Sequence, residues 1–236
     1  MGAMVALVAV LALSAVTILG ALYARGTKRP DMLIAIYVLY TALSQILAAK
    51  IADFSWLGIQ VTAPAAMILF PITFLLTDIV NERFGRKEVH RMIGIALIAQ
   101  IALAGAVYAS TLLPPAPFWQ NQDAWRSIFG FVPRIILASW ITFVVSENLD
   151  AVLFAALRKA TGGRHLWMRN VFSSVPALAV DTLLFVTLAF YGTPVPLAPL
   201  MIGQFVMKYA VVVLNVPFMY MSRAIMGRSD EQPQNA

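Results

Sequence analysis

The chain has 236 residues, 61% of them hydrophobic and only 12% charged, with a formal net charge of +6. A soluble domain of this length holds about twice that share of charge, so an ordinary soluble fold is excluded. The absence of cysteine removes disulfides, thiol chemistry and thiolate metal sites, and the two histidines, His90 and His165, fall in basic loops, which speaks against metal catalysis.

Taken in order, the uncharged stretches Met1 to Ala24, Met32 to Ala49, Phe54 to Thr77, Met92 to Gln122 and Thr182 to Met207 are each near or above the roughly 20 apolar residues that cross a bilayer as helix. Helices are predicted over 3–23, 31–50, 58–80, 91–113, 130–157, 170–191 and 197–222. The expected fold class is all-α, a polytopic membrane bundle of six to seven transmembrane helices, and no alternating stretches suggest a β-barrel. The first apolar segment lacks a basic leader and is too long for a signal core, so 1–24 reads as a retained extra N-terminal helix. Loops are short, which predicts a single transmembrane domain over 1–236, with 227–236 a flexible tail.

Basic residues cluster in alternate loops: Arg25, Lys28 and Arg29; Arg83, Arg86, Lys87 and Arg91; Arg158, Lys159, Arg164 and Arg169; Arg223 and Arg228. That alternation places them on the cytoplasmic face and accounts for the net charge without nucleic acid. An odd number of spans puts the N-terminus outside and the C-terminus in the cytoplasm. The Pro- and Trp-rich segment "LPPAPFWQNQDAW" is then an external loop. Pro64 and Pro71 in the third predicted helix, Pro176 in the sixth and Pro217 in the seventh offer kinks that shape a bundle or open a pocket at mid-depth.

Four ionisable residues interrupt the apolar spans: Glu147 and Asp150 in the fifth helix, Asp181 in the sixth and Lys208 in the seventh. At 1.5 Å per residue they fall in one layer near mid-depth, where each would cost at least about 2.5 to 3.5 kcal/mol facing lipid. Glu147 and Asp150, three apart, share a helical face. A buried salt bridge from Lys208 to Asp181 or Glu147 would fix helix register and nothing more. Three acids against one lysine, however, leave negative charge to be protonated, hydrated or met by a ligand, which favours a substrate or proton site. A second patch, "TDIVNERFGRK", carries Asp78, Asn81 and Glu82 on one face before Gly85, which reads as a glycine-closed helix end. Arg134 reads as a snorkelling or headgroup residue, and Lys50 and Asp53 as interfacial.

The segments "FPITFLLTDIVNERFGRKEVHR", "RIILASWITFVVSENLDAVLF", "TGGRHLWMRN" and "VDTLLFVTLAFYG", in that order, resemble the queuosine precursor transporter family, also called vitamin uptake transporters. The likeness runs from about Tyr37 to Arg223. It implies uptake of 7-deazaguanine bases, the cyano and aminomethyl precursors used in tRNA modification. Asp78, Asn81 and Glu82 match the family's aspartate and Asn-Glu pair. The family's Ser-Gln-x-x-Asp motif appears in the fifth helix as Ser146, Glu147 and Asp150, and in the sixth as Ala177, Leu178 and Asp181. The aspartates match while the amides do not. A related "SQIL" at Ser44 to Leu47 adds Gln45.

The buried charges and the resemblance together imply a substrate site of Gln45, Asp78, Asn81, Glu82, Glu147, Asp150, Asp181 and Lys208 in an inner-membrane carrier that is not an enzyme and takes no cofactor. One carboxylate would accept both N–H donors of a guanine-like edge, with Phe143, Phe185 or Tyr209 offering a ring to stack on. The partners implied are a deazapurine and membrane lipids, with a homo-oligomer left open. Two alternatives stand: a substrate-binding membrane subunit that needs a separate ATPase, and an intramembrane aspartyl enzyme, which no recognisable protease motif supports.

Overall fold

The computed structural model describes residues 2–56, 59–160 and 166–210. Helix α1 (Gly2–Thr27) ends where the Thr27 hydroxyl donates to the Tyr23 carbonyl, 2.9 Å away. The chain reverses through Lys28, which has φ 55°, and Arg29 pairs with Asp31 at 2.8 Å at the start of α2 (Asp31–Leu47).

The predicted third helix is corrected here. Residues 59–69 do not enter it: β1 (Ile51–Trp56) and β2 (Ile59–Pro64) form an antiparallel hairpin, followed by a 3-10 turn over Ala65–Ile68. Only then does α3 (Phe70–Phe84) begin. The all-α expectation therefore fails over 51–56 and 59–64, while the rest of the described chain is mainly helical. Asp53 stands opposite Thr62, and its Oδ1 accepts from the Thr62 hydroxyl at 2.6 Å, while β-branched Val61 and Thr62 suit a pleated backbone. Pro64 closes the strand, where no ladder donor is needed, and Pro71 sits in the first turn of α3, where its missing N–H costs nothing.

At the other end of α3 the reversal takes a single residue. Gly85 has φ 82°, a conformation open to glycine, and its N–H closes on the Asn81 carbonyl at 3.1 Å. This is the glycine-closed helix end expected from the sequence. Helix α4 (Arg86–Leu112) starts immediately, so the basic run lies inside its first turns rather than in a loop.

The predicted external loop contains a short helix, α5 (Gln122–Phe129). Trp125 Nε1 donates to Ser110 Oγ at 3.1 Å and Arg126 Nε to the Thr111 carbonyl at 3.4 Å, which clamps α5 over the end of α4. Hydropathy missed it because its polar and apolar residues average out along the segment. Helices α6 (Val132–Ala160) and α7 (Leu166–Phe190) follow, and residues 197–210 form α8. The rest of the last predicted helix, 211–222, with Pro217, and the tail 227–236 lie outside the described residues.

Two apolar clusters hold the bundle. One joins Val16 and Ala24 of α1, Leu33 and Ile34 of α2, five α3 residues from Ile72 to Val80, and Met92 of α4. The other joins Ile135 and Ala138 of α6 to Phe185, Val186, Ala189 and Phe190 of α7 and Leu200 of α8, with Ala48 and Ala66. The outer surface is apolar as well: Ile98 and Ile101 on α4, Leu137 and Val144 on α6 and Ile202 on α8 are all more than half exposed. Meanwhile Gln45, Gln100, Thr142, Ser146, Gln204 and Lys208 are buried. This inverted distribution belongs to a helical protein whose solvent is lipid. Arg86–Leu112 and Gln122–Leu157 each contain a helix long and apolar enough to cross a membrane, while α2 and parts of α3 and α7 are shorter apolar helices.

Gly203 fixes how α8 meets the hairpin. A Cβ there would overlap the Thr62 backbone carbonyl, so the strand and the helix approach as only glycine allows. Gly203→Ala is expected to lower stability by about 1 to 3 kcal/mol through overpacking, read as a drop in the melting temperature of the detergent-solubilised protein. An unchanged melting temperature would show that the hairpin is free to move off α8.

Candidate functional site

Helices α6 and α7 pack antiparallel. At one end Arg134 Nε donates to the Leu188 carbonyl at 2.9 Å, and its Nη2 donates to the Tyr191 carbonyl. Arg134 therefore caps the open carbonyls at the end of α7, a more definite task than the snorkelling expected from the sequence. Its guanidinium also lies over the Phe131 ring, 5.5 Å from the centroid.

Near the middle of the same helix pair, Ser146 Oγ approaches Asp181 Oδ1 at 3.4 Å. The other carboxylate oxygen, Oδ2, accepts from Lys208 Nζ of α8. The lysine side chain is 3% exposed and the aspartate 22%, so the cation is sealed in and the anion keeps one open side. The ammonium also lies 5.8 Å from the centroid of the Phe70 ring, at the start of α3, within reach of a cation–π attraction. Four elements, α3, α6, α7 and α8, thus converge on one ion pair.

The other acids are placed differently. Glu147 is exposed and Asp150 half-buried on α6, and Glu147 is within electrostatic reach of both Asp150 and Asp181. With Lys208 matched to Asp181, the two other acids of the expected layer, Glu147 and Asp150, both lie on α6. Tyr37 of α2 lies near the Thr77 side chain of α3 and within electrostatic reach of Glu147. Asp78 and Asn81 are exposed on that part of α3. The Glu82 side chain lies outside the described residues.

Gln45 enters a second polar node. Its Nε2 donates to Gln100 Oε1 at 3.2 Å, Trp140 Nε1 donates to the same oxygen at 2.9 Å, and Ser139 Oγ donates to Gln45 Oε1 at 3.2 Å. This joins α2, α4 and α6. Ser139, Thr142, Ser146 and Asp150 recur at intervals of three or four, so α6 carries one polar stripe past both nodes.

Sequence reasoning centred on charge missed Gln100, Thr142 and Gln204. The signal was a lone amide or hydroxyl in an otherwise apolar span, and Gln204 lies one helical turn before Lys208. Of the aromatic candidates, Phe185 is packed edge-on against Phe190 in the apolar core, Phe143 is exposed, and the Tyr209 hydroxyl donates to the Val175 carbonyl at 3.1 Å. An open groove of about 550 Å³ runs between α2 and α4, lined by Ile34, Val38, Leu39 and Ile95 with Asp31 and Arg91. None of its lining residues belongs to either polar node, so the site is assigned from the polar geometry and not from this groove.

Compared with known proteins, the chain is similar over 165 residues, at 29% identity, to a probable queuosine precursor transporter of Bacillus subtilis, which covers 69% of this chain and 72% of that one. It is 30% identical over 125 residues to a queuosine precursor transporter of Escherichia coli, covering 53% and 54%. It is 26% identical over 129 residues to a probable queuosine precursor transporter of Haemophilus influenzae, covering 55% and 52%. The chain spans about half the length of these last two relatives. No solved structure matches it. Residues 64–222, the greater part of the chain and the part that carries the Lys208–Asp181 pair, match the sequence model of the vitamin uptake transporters, and the protein belongs to that family of membrane transporters.

Proposed function

We propose that this protein imports a 7-deazaguanine queuosine precursor, in its cyano or aminomethyl form, across the inner membrane. The observation that carries the reading is the buried Lys208–Asp181 pair, held by Ser146 where α6, α7 and α8 meet. Replacing a buried pair by apolar side chains is often neutral or stabilising, so stability alone gives little reason for the pair. Here Asp181 keeps an open side and has Glu147 as a neighbouring charge, which suits a carboxylate that accepts N–H donors from a guest. The names of the relatives support the choice of guest.

In this reading the polar stripe of α6 lines the path, Asp181 and Lys208 orient the base, and Glu147 and Asp150 lie on its cytoplasmic side. Asp78, Asn81 and Glu82 serve a cytoplasmic gate. The basic clusters and the C-terminus face the cytoplasm, and the chain acts as one transmembrane domain.

Purified protein reconstituted alone in liposomes should accumulate labelled 7-cyano-7-deazaguanine saturably, with competition by the unlabelled aminomethyl form. Binding without uptake would point to a subunit that depends on a separate ATPase. Neither binding nor uptake would overturn the reading.

A further inference from the structure

Among the described residues, three buried side-chain polar atoms have no hydrogen-bond partner: Gln122 Nε2, Thr142 Oγ1 and Gln204 Oε1. Gln122 belongs to the short helix over the end of α4. The other two side chains are each 1% exposed, and a buried polar atom left unpaired costs about 1 to 3 kcal/mol.

Thr142 differs from five other helical threonines. Thr41, Thr73, Thr77, Thr111 and Thr182 all donate to a carbonyl of their own helix. That local bond is the usual way to satisfy a hydroxyl in a membrane helix, and Thr142 does not make it.

The register of the helices puts the two orphans at one level. Ser146 and Lys208 meet on the Asp181 carboxylate, from α6 and α8. Both helices run antiparallel to α7, shown for α6 by the Arg134 and Ser146 contacts and for α8 by Leu200 clustering with Ala189 and Phe190 while Lys208, eight residues on, meets Asp181. The two therefore run parallel to each other. Thr142 lies four residues before Ser146 and Gln204 four before Lys208, which is one turn in the same direction on the face that carries the ion pair. Two unpaired polar atoms thus sit about 6 Å along the helices from a sealed charge pair.

We propose that Gln204 and Thr142 are specificity-determining ligand contacts, which read an edge of a neutral heterocycle where an N–H donor lies beside an acceptor. The carboxamide oxygen of Gln204 accepts the N–H, and the Thr142 hydroxyl donates to the neighbouring carbonyl or ring nitrogen. The inference rests on the transport reading above and adds the contacts that select the guest. A site that presents unpaired buried groups rejects an analogue unable to match them.

The test uses detergent-purified protein, with 7-cyano-7-deazaguanine and its N9-methyl derivative, which lacks the pyrrole N–H that the Asp181 carboxylate does not take, as probes. Wild type should bind the parent at least about tenfold more tightly than the methyl compound. Gln204→Met and Thr142→Val should each lose about tenfold for the parent. Gln204→Met should no longer distinguish the two probes, whereas Thr142→Ser, which keeps the hydroxyl, should bind as wild type does. Without ligand, both apolar variants should melt about 2 °C higher, because each removes an unpaired buried atom. A merely structural role predicts the opposite, and a lower melting temperature in the ligand-free variants would overturn the proposal. So would variants that bind the parent within twofold of a wild type that itself binds it, and that result would leave the transport reading intact. A wild type that binds neither probe would overturn both.

Discussion

Asp181→Asn is expected to reduce uptake of 7-cyano-7-deazaguanine at least about tenfold, the effect of one lost charge-assisted hydrogen bond, and to destabilise the protein by roughly 3 kcal/mol. The stability loss arises because Lys208, at 3% exposure, would keep its ammonium in the interior with its counter-charge gone. The estimate sits at the low end for a broken buried pair, since Asp181 is 22% exposed and partly screened. Stability and transport are separable. In Asp181→Asn/Lys208→Met both charges are gone and an apolar chain of similar length fills the lysine's place, so most of the stability should return. Uptake should not return, because the charged acceptor with two oxygens is still missing and the Asn amide offers the guest's N–H donors only one. Measuring melting temperature and liposome uptake in the single and double variants decides between the two roles. If the double variant transports normally, the pair only sets the register of α7 against α8.

The sequence revealed the bundle because apolar spans and isolated buried charges are each costly to place anywhere else. The starts of α1, α2 and α8 agree with the predicted spans to within a residue, and the glycine stop of α3 at Gly85 is where the sequence puts it. The hairpin was illegible because "IQVTAPAAMILF" is as apolar as a membrane helix, and hydropathy carries no information about whether its backbone bonds are made within a helix or across a strand pair. The β-branched Val61 and Thr62 next to Pro64 were the available sign. In the site, the Lys208–Asp181 pair was foreseen as one of two pairings, because a buried cation needs a buried anion. The uncharged partners were not foreseen. Asn, Gln, Ser and Thr cost too little in a hydropathy profile to register, and their importance appears only once neighbouring helices show which of them are paired.

Gln100→Leu is expected to cost about 1 to 3 kcal/mol, more than any other single change in the polar node of α2, α4 and α6. Gln100 Oε1 accepts from both Gln45 Nε2 and Trp140 Nε1, so leucine leaves two donors without their acceptor. In water-soluble cores that would approach the full desolvation cost of each group. Between membrane helices the measured worth of a hydrogen bond averages about 0.6 kcal/mol and reaches about 1.7, because the unpacked helices also find partners. Gln45→Leu should cost less, about 1 kcal/mol: Gln100 keeps the bond from Trp140, and Ser139 is free to turn to a carbonyl of its own helix, as Ser110 does toward Val107. Both ends of the Gln45 amide are engaged inside the protein, so its replacement should leave uptake within a few-fold of wild type. Thermal unfolding of the two variants gives the order of the costs, and liposome uptake separates structure from recognition. A tenfold loss of uptake in Gln45→Leu at unchanged melting temperature would move this residue from the framework that positions α6 into the substrate site itself.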